Sequence, residues 1–150
     1  MKRGLKVGIN VHIGSNVVLD ADFPYLITLG DECTIGRGTI ILAHDASTKR
    51  YLNYTKVGKV HIGNRTFVGA NVVILPNVRI GSNVIVGAGS VVSQSVPDGV
   101  VVAGNPAKII GTTEDYIRSH RKQLQDRLLD RGRINEVIKA IEKYGVIYMR

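Results

Sequence analysis

A six-residue period runs from Ile62 to Val92. An aliphatic residue returns at Ile62, Val68, Ile74, Ile80, Val86 and Val92. Glycine follows at Gly63, Gly69, Gly81 and Gly87. Asn71, Asn77, Asn83 and Gly89, which tolerate a left-handed backbone, stand three residues after four of these aliphatics. Small or β-branched residues come next, at Thr66, Val72, Val78, Val84 and Ser90. A period of six suits neither an α-helix nor the two-residue alternation of a hairpin array. It predicts short strands joined by turns, with one aliphatic per strand pointing inward: an all-β solenoid.

The same pattern starts near the N-terminus. Val7-Gly8-Ile9-Asn10 and Ile13-Gly14-Ser15-Asn16 lead to Leu19, where the register slips. The next clean start is Leu29-Gly30, so Asp20 to Tyr25 must hold a bulge or an altered turn, which Pro24 suits. Repeats resume at Ile35-Gly36 and Ile41 and reach His44. From Asp45 to Lys59 the pattern dissolves into a polar, basic segment with two tyrosines, an expected loop extruded from the solenoid. Such a loop is either a plain insertion or a cover for a site beside His44.

Gly104 and Pro106 break the strand pattern and close the repeat block. A helical tail is expected beyond. Thr112 or Thr113 can cap it, Glu114 and Asp115 suit its first turn and Gly132 its end, and Ile117, Leu124 and Leu128 share a face. A second helix places Ile134, Val137, Ile138 and Ile141 at helical spacing and stops at Gly145. The expected organisation is a solenoid over 1–111 carrying the loop 45–59, and a tail over 112–150 that covers the open last coil or packs along its side.

Only 5% of the 150 residues are aromatic and none is Trp, as a narrow interior of stacked Val, Ile and Leu requires. The net charge of +8 is compatible with nucleic acid, an anionic membrane or an anionic cofactor. The chain has no nucleic-acid module and no stacked aromatics, which favours the cofactor. Cys33 is the sole cysteine, excludes an intrachain disulfide, and falls at a small core position of its repeat. Met1-Lys2-Arg3-Gly4 leads straight into repeats and no run reaches membrane-span length, so a cytoplasmic protein is expected.

Of four histidines, His12 and His61 each precede a repeat start and His120 lies on the tail helix, positions that suit structural or surface roles. His44 stands apart, at the end of a repeat, just before the loop, and followed by Asp45.

The repeat block, together with Ile41-Leu42-Ala43-His44-Asp45, resembles the hexapeptide-repeat acyltransferases. The likeness is strongest to their sugar and polysaccharide O-acetyltransferases, the galactoside/maltose acetyltransferase group. It covers about residues 7–111. The resemblance implies a left-handed parallel β-helix, an exception to the usual right-handed crossover. It also implies a homotrimer with active sites between subunits, and a loop that helps shape the acceptor pocket. His44 matches the family's catalytic histidine. It would take the proton from an acceptor hydroxyl as the oxygen attacks the thioester of acetyl-CoA, with no covalent enzyme intermediate and no metal. A backbone N–H of the Gly69–Ala70 region would hold the oxyanion. Asp22 would contact the acceptor, against its plainer reading as a polar turn residue, and Asp45 is a second acceptor-side candidate. Gly69, Ala70, Ala88, Ser93 and Lys108 would line the CoA groove.

The chain departs from the family pattern at Ser93-Gln94, where relatives carry Thr-Lys, and at Gly111, where they carry a basic residue. Phe67 replaces a frequent Trp. The γ-type carbonic anhydrases share the solenoid but need three converging histidines. His44 and His61, about one coil apart, have no evident third partner. Serine and xenobiotic acetyltransferases, an N-acyltransferase acting on an amino sugar, and a non-catalytic scaffold are the other readings. The expected activity is O-acetyl transfer to a sugar or polysaccharide precursor.

Overall fold

The computed structural model describes residues 4–129, 134–146 and 148–149. Short strands, all of two or three residues except Val100–Gly104, wind into a three-faced parallel solenoid. The first face stacks Lys6–Val7, Ile27–Leu29, Val60–Ile62 and Arg79–Ile80. The second stacks His12–Ile13, Thr34–Ile35, Phe67–Val68, Ile85–Val86 and Val100–Gly104. The third stacks Val18–Leu19, Ile40–Ile41, Val73–Ile74 and Val91–Val92. All these pairs are parallel. Ala107–Thr112 then folds back antiparallel on Val100–Gly104 and closes the second face.

The six-residue period is the side length of this triangle. Ile62, Val68, Ile74, Ile80, Val86 and Val92 are all buried, one per strand. Thr66, Val72, Val78, Val84 and Ser90 fill the corners inside them, and Cys33 is buried at the matching position. Each fully buried Val or Ile contributes about 1.5–3 kcal/mol relative to an exposed one. The corners turn through left-handed residues: Asn71, Asn77 and Asn83 have φ of 55°, 66° and 56°. Glu32 and Arg65 occupy the same conformation without the side chain that favours it. Gly63 is required for a second reason. A Cβ there would lie 2.5 Å from the Gly81 carbonyl carbon of the next coil.

Side chains tie the coils along one corner. Asp31 Oδ1 accepts from the Ile9 N–H, Asn64 Oδ1 from Asp31, Ser82 Oγ from Asn64 and Asp98 Oδ1 from Ser82. A continuous ladder satisfies backbone donors that the turns would leave unpaired.

Regular coils advance 18 residues between stacked positions. The first coil advances 22 and the second 33. Both excesses fall at one corner, where the chain leaves the third face for the first. In the first coil this detour is Asp20 to Leu26, ending in a 3-10 turn at Pro24–Leu26. In the second it is the 45–59 loop. That segment is an ordered hairpin: His44–Asp45 pairs antiparallel with Lys56–Val57 beneath a helical turn at Lys49–Leu52.

The chain divides into two compact units, 1–113 and 114–150. The tail contains two helices, Thr113–Arg127 and Ile134–Tyr144. The first stops at Arg127, so Leu128 lies in a strand and not on the helix face expected for it. Gly145 follows the second helix with φ 73°. Leu128–Leu129 pairs in parallel with Tyr148–Met149, a contact the sequence did not suggest. Gly132 lies outside the described residues. Among the described residues, no helix is long and apolar enough to cross a membrane.

Candidate active site

Because Leu19 and Ile41 are in register on the third face, the two irregular corners that follow them lie on adjacent coils. This stacking brings the Asp20 carboxylate to the His44 ring, with Nδ1 to Oδ2 at 2.6 Å. The Asp20 side chain is fully buried and that of His44 is 29% exposed. Asp20 Oδ2 also accepts the Ala43 N–H at 2.8 Å, and Oδ1 accepts the N–H groups of Asp22 and Phe23, each at 3.1 Å. Burial pushes the Asp20 carboxyl up. The hydrogen bonds from Ala43, His44, Phe23 and Asp22 outweigh it and hold the group below the ordinary carboxylate value. Asp20 is therefore an anion that can only accept, so the proton on the neutral imidazole sits on Nδ1. Nε2 keeps its lone pair and is the basic atom. The Phe23 ring lies 5.4 Å from the His44 ring, centroid to centroid, and limits its rotation.

His44 opens onto a 450 Å³ hollow with Asp45, Lys56, Leu75, Pro76 and Ser93 among its walls. Asp45 is half-buried, and its Oδ1 accepts the Ser47 N–H at 2.8 Å. That bond, and more weakly Lys56, holds its carboxyl below the ordinary value. Asp22 is exposed, and its carboxylate reaches within 4.8 Å of the Asp20 and His44 donor atoms, a potential metal-ligand grouping. Both Asp20 oxygens are already committed to N–H donors, so a cation there would displace existing bonds. Asp20 was missed in the sequence although Asp22 was singled out. The signal was present: the register slip and the loop both follow a third-face strand, one coil apart.

The expected CoA-side residues divide between two corners. Ser93 stands with His44, and Lys108 lines a neighbouring 310 Å³ hollow that begins at Gln94 and Ser95. Gly69, Ala70 and Ala88 occupy the corner between the second and third faces, across the width of the third face from His44. The Gly69 N–H donates to the Val86 carbonyl in coil stacking, so it is not a free oxyanion donor. The Ala70 N–H, in contrast, has no acceptor among the described residues. One copy of the chain thus carries a base at one corner and a free donor at another.

His12 is exposed on the second face and His61 half-buried on the first. The His120 ring contacts Tyr116 in the tail. Neither His12 nor His61 lines the hollow beside His44.

A family model described as bacterial transferase hexapeptide (six repeats) matches residues 59–94. The chain is 42% identical to YvoF of Bacillus subtilis (strain 168), named provisionally as an acetyltransferase, over 81% of this chain and 68% of that protein. It is 33% identical to the galactoside O-acetyltransferase of Escherichia coli (strain K12), over 72% of this chain and 57% of that enzyme. It therefore spans little more than half the length of that relative. Among solved structures, the hexapeptide-repeat acetyltransferase VCA0836 of Vibrio cholerae O1 biovar eltor, complexed with acetyl-CoA, superposes with a TM-score of 0.65 at 32% identity. That match covers 74% of this chain and 61% of that one. The solenoid that the repeats predict is thus the left-handed parallel β-helix that the family resemblance implied.

Proposed function

The chain belongs to the hexapeptide-repeat acetyltransferase family, and we propose that it transfers an acetyl group from acetyl-CoA to a hydroxyl of a saccharide. The observation that carries this reading is the Asp20–His44 bond, which fixes the imidazole tautomer with Nε2 directed away from the carboxylate. His44 Nε2 accepts the hydroxyl proton as the acceptor oxygen attacks the thioester carbonyl. Asp20 stabilises the imidazolium that forms, as the carboxylate does in other His–Asp pairs. His44 then returns the proton to the departing CoA sulfur, so the enzyme ends as it began.

The Ala70 N–H serves as the oxyanion donor. Since Ala70 and His44 lie on opposite edges of the third face, the donor belongs to a neighbouring copy of the chain. Val18, Ile40, Val73 and Val91 form an outward aliphatic column across that face. It suits a head-to-tail contact that closes as a ring, and a homotrimer completes the site. Ser93 and Lys108 lie where CoA would run from the thioester toward its phosphates, and Asp22 and Asp45 flank the acceptor side.

The test is acceptor-dependent thiol release from acetyl-CoA by the wild-type protein and by His44→Ala, over a panel of sugars, amino sugars and serine. Release with hydroxyl sugars, falling about 10²-fold or more in the variant, is expected. Undiminished transfer by the variant removes His44 from the role of base, and transfer to amines alone replaces the hydroxyl acceptor.

A further inference from the structure

The first face is unlike the other two on its outer side. Lys6, Thr28, His61 and Arg79 stand in register on four successive strands. They span three strand spacings, about 14 Å. With Lys59 they surround a groove of 520 Å³ that no carboxylate lines. The ion pairs among the described residues lie elsewhere, so Lys6, Lys59 and Arg79 are uncompensated. Burial, and secondarily the Arg79 charge, holds His61 below the ordinary imidazole value, so the positive charge along the groove comes from Lys6, Lys59 and Arg79.

The walls add groups that a bare anion would not need. Tyr25, 55% exposed, offers an aromatic face, and Asn77 and Ser95 offer hydrogen-bonding side chains. Nucleic acid would require successive stacking rings, and Tyr25 is the one aromatic ring of the lining apart from His61. The mix of one ring, polar hydrogen-bonding groups and spaced cations matches sugar units that carry acidic groups.

The groove also adjoins the candidate active site. Pro76 and Ser93 line the His44 hollow, whereas Asn77 and Ser95 line the groove on the other side of the same corner. Lys56 and Lys59 flank that corner at the foot of the hairpin, one facing each hollow.

We propose that the first face is a docking groove for an anionic saccharide chain, which crosses this corner to present one hydroxyl to His44. The proposal rests on the saccharide-acceptor reading above and names its class as acidic. A chain with one carboxylate per sugar finds Lys6, Lys59 and Arg79 spaced along the groove, and the groove holds units that the hollow does not.

The test is binding without turnover, by calorimetry on the full-length His44→Ala protein in the absence of acetyl-CoA. The ligands are oligogalacturonate, oligosialic acid, neutral dextran and polyglutamate of matched charge. At least one acidic glycan should bind, with affinity that falls as salt rises, and shift the His61 ring resonances. Dextran should not bind. Lys59→Ala/Arg79→Ala should weaken the acidic glycan about tenfold or more with the oligomeric state unchanged. Absence of binding by both acidic glycans overturns the proposal, as does polyglutamate binding as tightly as either of them. A change of oligomeric state in the double variant would instead make this face a subunit contact. Because no step requires catalysis, failure here is distinct from failure of His44 as the base.

Discussion

At Asp20, burial and hydrogen bonding act in opposite directions, and the bonds prevail. Asp20→Asn keeps the shape but can turn an NH2 toward Nδ1, which would place the imidazole proton on Nε2. Transfer should fall by about 10²–10⁴-fold with the fold retained. Wild-type turnover in this variant would show that the tautomer is set by something other than Asp20. Because the folded Asp20 value lies below the reference 3.8, its stabilisation is complete above that pH and is lost as pH falls through the lower folded value. The stability gap between wild type and Asp20→Asn should therefore hold from neutrality to about pH 4 and narrow only below. His61 behaves alike in a higher window. Its folded value lies below 6.5, so the unfolded chain takes up the proton first and the fold loses stability as pH drops past that point. His61→Gln should lose less stability than wild type between pH 7.5 and 5 in urea titrations. Parallel losses would show that His61 has the same affinity for protons in both states.

At the scale of the element, a coil tolerates irregularity at one corner and very little elsewhere. The Asp20–Leu26 detour and the 45–59 hairpin extend outward from the same corner, so neither disturbs the stacked Ile and Val rows. The Ala43 carbonyl accepts the Gly58 N–H across the base of the hairpin, which closes the second coil as though the insertion were absent. A glycine between coils allows no such freedom. Gly63→Ala sets a Cβ 2.5 Å from one backbone atom and 2.6 Å from the next, with no flexible side chain to yield. Thermal melts should show a loss of several degrees or no cooperative transition. A melting point within about a degree of wild type would mean that the coils can separate at that corner at little cost.

For the whole molecule, the three faces divide the work. The first is cationic, the third is aliphatic, and the second is mixed and closed at its end by the Ala107–Thr112 strand. Val18 is 50% exposed in the aliphatic column, and Val73 stands at its centre. On the proposed trimer, Val73→Asp should give monomers in sedimentation and abolish transfer, because the proposed base and oxyanion donor would then lie on separate chains. Active monomers would place both groups within one chain.

The solenoid was legible in the sequence because each coil repeats one local rule. An inward aliphatic, a glycine beside the next coil and a left-handed asparagine each act over a few residues and recur every six. The helices of the tail were legible in part, through the acidic first turn at Glu114 and Asp115 and the apolar spacing of Ile134, Val137, Ile138 and Ile141. His44 was marked by its place at the end of the pattern. What only the tertiary structure decided was the company it keeps. Asp20 reaches His44 across 24 residues, because two departures from the repeat land on one corner of adjacent coils. No local signal fixes that meeting. It depends on Leu19 pairing with Ile41, and so on how far each coil travels before it closes. The groove of the first face has the same origin. Lys6, His61 and Arg79 are scattered along the chain, and only the stacking of strands places them side by side.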